Sequence, residues 1–224
     1  MSPWTEIDSM GLPDSNSSLL SEDTVTVYVG RKRKKFHIHK ALLCYHSSFF
    51  SKALDGLFKE HEDRAVYLPD DNVEGFVLFV NWMYNVPPQI ASTPAAMMAL
   101  LALYIMAEKF CIEELKNVSM DGVRASYREN FEFYTQEIEY IYDNTPESSP
   151  LRRFMADHVA YGPLVRKARM SKDFLEVMRR GGDFAADFAS AAVQYSFGAA
   201  RPPNPTRESN RTYHEHKSSK TCSL

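Results

Sequence analysis

Glycine is sparse in this chain, nine residues among 224, and their spacing excludes several chemistries. No G-x-G, G-x-x-x-x-G-K or G-x-S-x-G occurs, so the sequence offers neither a phosphate-cradling loop nor a nucleophile elbow. Cysteine is sparser still. Cys44, Cys111 and Cys222 are odd in number and widely spaced, and none forms a C-x-x-C pair. That argues against a disulfide framework or a thiolate zinc site and suits a reducing compartment. Neither sign of charge dominates: the formal net charge is −3, which gives no reason to expect a nucleic-acid partner. The longest apolar run, Ala95 to Ala107, is too short to cross a bilayer. Glu6 and Asp8 stand where a secretory signal would need apolar residues. Cys222 lies one position too late for a prenylation box. The expectation is a chain of the cytoplasm, the nucleus or both, with no membrane, no small-molecule substrate and no cofactor.

What is present is enough apolar residue to build a core, 44% of the chain. Order begins at Thr24, where Val25, Val27 and Val29 alternate with Thr24, Thr26 and Tyr28, the period of a half-buried strand. After Gly30 and the basic run Arg31-Lys32-Arg33-Lys34-Lys35, a second strand places Phe36 and Ile38 on one face, and the two strands predict a hairpin. Leu42, Leu43, Phe49, Phe50 and Leu54 predict two short helices, the second capped by Ser47 or Ser48. A third short strand follows at Ala65 to Leu68.

Asp71 and Glu74 predict a helix start. Val73, Phe76, Val77, Val80 and Tyr84 then form one apolar helical face. Thr93-Pro94 opens another helix, apolar on all sides through Leu101 and Ile105, which must be surrounded by protein. Beyond it the pattern is helical, with one helix expected from Val123 to about Tyr142, including Phe131, and another from Pro163 to about Arg180.

Several local clusters invite sharper readings. Arg31 to Lys35 reads as a nuclear-localisation run or phosphate patch, against a solvated hairpin tip. His37, His39, Cys44 and His46 carry the donor types of a zinc site, but their strand and helix-start positions favour ordinary surface and capping roles. Glu60-His61-Glu62-Asp63 suggests acid–base chemistry, or simply a charged loop. Cys44 suits a buried, inert thiol better than a redox sensor. No catalytic residue and no metal site is expected.

The order strand, strand, two helices, strand, helices, with its joints, resembles the BTB/POZ family. The residues that carry the likeness are Phe36 to Leu43, Ser47-Ser48-Phe49-Phe50, Val66 to Asp71, Phe76 to Tyr84, and Tyr104 to Phe110 followed by Glu114-Leu115-Lys116. The C-terminal half, with Phe184 to Phe188, resembles the helical extension of fungal members. The resemblance implies an α+β fold, a small three-stranded sheet packed with helices, followed by an all-α extension. It divides the chain into a disordered leader (1–21), the BTB/POZ-like domain (22–120), the extension (121–195) and a disordered tail (196–224). The expected core of the domain is Val27, Phe36, Leu42, Leu43, Phe49, Phe76, Val80, Leu101 and Ile105. The implied function is a non-catalytic scaffold or adaptor that binds a protein partner, a second copy of itself or a cullin of a ubiquitin ligase. A nuclear regulator imported through Arg31 to Lys35 is the further alternative. One family feature is missing: no Glu lies between Gly75 and Ala107, where cullin adaptors often carry an apolar-x-Glu tripeptide.

Overall fold

The computed structural model describes residues 19–20, 22–55, 64–129, 132–165, 170, 172–197 and 203–217. The expected leader (almost entirely), the Glu60–Asp63 cluster, Phe131 and Cys222 therefore lie outside the described residues. The chain forms two compact units, Met1–Val73 and Glu74–Leu224.

In the first unit, β1 (Thr24–Val29) pairs antiparallel with β2 (Lys34–His39) and parallel with β3 (Ala65–Leu68), giving the order β2-β1-β3. Alternation works as the side-chain period dictates: Val25, Val27 and Val29 are buried, while Thr24 is exposed and Thr26 and Tyr28 are half-buried. The β1–β2 turn closes on a hydrogen bond from Arg33 N to Gly30 O at 2.9 Å. Both residues take positive φ, +72° at Gly30 and +51° at Arg33, so glycine fits where the chain must reverse. Helices α1 (Lys40–His46) and α2 (Ser48–Asp55) follow. The buried Ser47 hydroxyl accepts from Phe50 N at 3.4 Å, satisfying a donor at the start of α2.

The second unit is helical: α3 (Val73–Met83), α4 (Pro94–Lys109), α5 (Glu113–Glu129), α6 (Thr135–Asn144), α7 (Pro150–Val165), α8 (Lys172–Arg180) and α9 (Asp183–Phe197). Thr93 caps α4 by accepting from Ala96 N at 3.2 Å, ahead of Pro94. Helix α4 is buried at Met97, Leu100 to Tyr104, Met106 and Ala107. Gly75 permits close approach of α3 to α4, since a side chain there would stand 2.8 Å from the Ala102 methyl.

Several expectations are corrected. The buried face of α3 is Gly75, Phe76, Phe79 and Met83, not the row through Val80 and Tyr84. Phe79 packs against Phe76 at 5.5 Å and Phe110 at 5.4 Å, so the large rings turn the helix and leave Val80 half-buried and Tyr84 exposed. Of the expected core, Val27, Leu42, Leu43, Phe76 and Leu101 are buried, whereas Phe36, Phe49, Val80 and Ile105 are only half-buried. Cys44, expected to be buried, is half-buried.

The boundary expected at 120/121 falls inside α5, an uninterrupted helix of 17 residues. The single helix expected from Val123 to Tyr142 is two, because Tyr134 is extended (ψ 146°) at the start of α6. Pro163 lies in the last turn of α7 rather than opening a helix. The expected disordered tail is also structured in part: α9 reaches Phe197, a 3₁₀ turn spans Pro205–Arg207 and a short helix α10 spans Asn210–Tyr213. A polar composition hid this, because the segment is held by anchors rather than by an apolar face.

Candidate interaction surfaces

The outer face of the sheet is built from residues that the alternation sends away from the core. Tyr28 stands beside Lys35 in the antiparallel register and beside Tyr67 in the parallel one. The two tyrosine rings stack at 4.9 Å with 7° between their planes. Lys35 Nζ lies 5.6 Å from the centre of the Tyr28 ring and the Arg33 guanidinium 5.7 Å from that of Tyr67. The result is one line of cation, ring, ring, cation across three strands. Tyr67 is 51% exposed, and a stacked aromatic pair open to solvent is an unusual use of apolar area.

The basic run surrounds this line. Arg31, Lys32, Arg33, Lys34 and Lys35 are all exposed, and among the described residues none forms an ion pair. Lys34 and Lys35 belong to β2 rather than to the turn. Lys35 lies on the outer face, whereas Lys34, opposite Val29 and 5.5 Å from the centre of the Phe36 ring, lies on the other.

The histidines are not brought together as a metal centre. His37 is exposed, with Nδ1 3.4 Å from Thr26 Oγ1 on the outer face. Burial holds the half-buried His46 imidazole below its ordinary value and pushes the Cys44 thiol up. Among the described residues no group of three or more His, Cys, Asp or Glu is placed to hold a metal ion.

Residues 16–126 match the family described as the BTB/POZ domain. The chain carries a BTB/POZ domain. The match runs from ahead of β1 into α5, and the three-stranded sheet with its helices has the α+β architecture of the fold. BTB/POZ domains are protein–protein interaction modules, which act through exposed surfaces. No curated protein matches the chain. No helix among the described residues is long and apolar enough to cross a membrane.

The second unit contributes another exposed apolar group, Tyr84, Val86 and Ile90, at 38%, 51% and 37% exposure in the connection from α3 to α4. This connection is tied to α5 through Ser126, whose hydroxyl accepts from Ala91 N at 2.8 Å and donates to Gly122 O at 2.7 Å.

Sequence reasoning missed the polar residues that organise the helical unit. Arg152 on α7 is buried and donates to Tyr142 O at 2.6 Å and to Thr145 Oγ1 at 3.2 Å. It also reaches Asp183 Oδ2 at 2.9 Å and lies 4.6 Å from the centre of the Tyr142 ring. It thereby closes the end of α6 and joins it to the start of α9. A lone arginine gives no periodic signal, so nothing in the sequence marked it.

Proposed function

We propose that this chain is a non-catalytic scaffold whose BTB/POZ domain holds a protein partner on the outer face of its sheet. The observation that carries this is the solvent-facing Tyr28–Tyr67 stack flanked by Arg33 and Lys35. Aromatic and arginine side chains are those that dominate binding when a partner covers them. The excess of positive charge favours an acidic partner surface and steers its approach. Full-length tagged protein with Tyr67→Ala and Arg33→Glu is the test, because both positions are exposed rather than in the core. Partners that the unaltered chain retains in quantitative affinity purification are lost from the variant. Equal recovery with both chains contradicts the proposal.

A cullin contact draws support from the apolar group Tyr84, Val86 and Ile90, but the carboxylate that adaptors offer beside it is absent from Gly75 to Ala107. The expected outcome is that no cullin co-purifies. The further alternative, a regulator imported into the nucleus, is favoured by the exposure of Arg31 to Lys35. Replacing all five by Ser shifts a tagged protein out of the nucleus if import uses them, and an unchanged distribution removes the reading.

A further inference from the structure

The residues from Asn204 to Lys217 lie on α5 and α7 as a peptide lies on a receptor. Their own elements, a 3₁₀ turn of 3 residues and a helix of 4, are far shorter than a helix that sustains itself in water. Their shape is therefore imposed by what holds them. Much of the grip is on the main chain: Arg128 Nε donates to Thr206 O at 3.2 Å, and Arg124 and Arg153 donate to the carbonyls of Glu208 and Thr212. Asn117 makes a reciprocal pair with Glu215, donating to its carbonyl at 2.8 Å and accepting from its N–H at 3.0 Å. Contacts of this kind are available to any segment of suitable conformation, whichever chain supplies it.

Three consecutive side chains give the segment its specificity, and His214 is one of them, its Nε2 2.9 Å from Asp121 Oδ1 on α5. Tyr213 is 2% exposed, edge-on to Phe154 at 5.3 Å, with the Arg124 and Arg153 guanidinium groups each 5.5 Å from its ring centre. Its hydroxyl donates to Asp157 Oδ2 at 2.8 Å. Two residues on, the Glu215 carboxylate meets Lys116 Nζ at 2.9 Å. Arg124 and Lys116 are buried at 2% and 5% exposure, and the segment itself helps to cover them. Departure of the segment returns those charges to water instead of stranding them in a core, which keeps exchange energetically open.

We propose that the α5–α7 face is a receptor for a linear peptide of the form Tyr-His-Glu, that Tyr213-His214-Glu215 is its resident occupant, and that the same segment of a second copy takes the site in trans. None of these residues belongs to the sheet, and the test does not depend on the reading of its outer face. The probe is a fluorescent synthetic peptide of residues 203–217, added to three full-length proteins: unaltered, Tyr213→Ala and Glu215→Lys. Both variants loosen the resident segment, and the second does so at a half-buried position that leaves the tyrosine pocket intact. The peptide binds both variants saturably. It binds the unaltered chain at least about ten-fold more weakly, because affinity scales with the fraction of open sites. A peptide carrying Tyr213→Ala does not bind. Absence of binding to Glu215→Lys protein of unaltered helix content overturns the proposal. Equal binding to variants and unaltered protein does so too, since the peptide would then be elsewhere.

Discussion

The phenolic hydroxyl of Tyr213 donates to Asp157 Oδ2 at 2.8 Å, joining residue 213 to the middle of α7. Tyr213→Ala removes the ring packed on Phe154 and leaves the carboxylate without this donor. The expected cost is about 3–5 kcal/mol, and the melting temperature falls by roughly 2–4 °C for each kcal/mol in a chain of this size. A drop within error of zero means that the segment is not docked in solution.

The rotated face of α3 is testable by a pair of substitutions. Phe79 is fully buried and Tyr84 is 38% exposed. Phe79→Ala costs about 3–5 kcal/mol, whereas Tyr84→Ala stays within about 0.5 kcal/mol. Chemical denaturation measures both, and the reverse order would restore the face through Tyr84.

Arg152→Leu keeps much of the bulk but removes every donor that the arginine presents to Tyr142, Thr145 and Asp183. Buried carbonyls left unsatisfied cost about 1–3 kcal/mol each. The expected loss is therefore on the order of 3 kcal/mol, with α9 exchanging its amide protons faster than α4. A neutral substitution contradicts the bridging role.

Glu137 gives a pH dependence. Burial is the leading influence and raises its carboxyl above the ordinary 4.5, against the opposing donors Tyr134 N–H and Tyr127 OH. A raised carboxyl binds protons when folded that the unfolded chain has already released, so its contribution to stability falls as pH rises. The stability of the unaltered protein relative to Glu137→Gln is thus greatest below pH 4.5 and shrinks as the pH climbs through the folded value. Melting curves of both proteins from pH 4 to 7 check the sign, and a difference that grows with pH contradicts it.

The parts of the molecule legible in the sequence are those with a short period. Alternation at Val25, Val27 and Val29 marked β1 and its buried face, and the apolar surround of Leu101 marked α4 as enclosed. The face of α3 was misread because Phe76, Val77, Phe79 and Val80 offer two overlapping apolar stripes, and ring packing against Phe110 chose between them. The outer-face ladder was only half legible: the basic run was plain, but the stacking of Tyr28 on Tyr67 needs the parallel pairing of residues 39 apart in the chain. The docked segment was illegible because its anchors are one tyrosine, the polar contacts of His214 and Glu215 and several hydrogen bonds to main chain, which leave no hydrophobic pattern.

The most direct measurement on the central claim is quantitative affinity purification of the full-length chain beside its Tyr67→Ala, Arg33→Glu variant, with melting temperatures taken in parallel. The account predicts that the variant stays folded, its melting temperature lowered by only a few degrees through loss of the Tyr28–Tyr67 stack, and that a defined set of acidic protein partners is retained by the unaltered chain and lost from the variant. Identical partner sets from two folded proteins would contradict it.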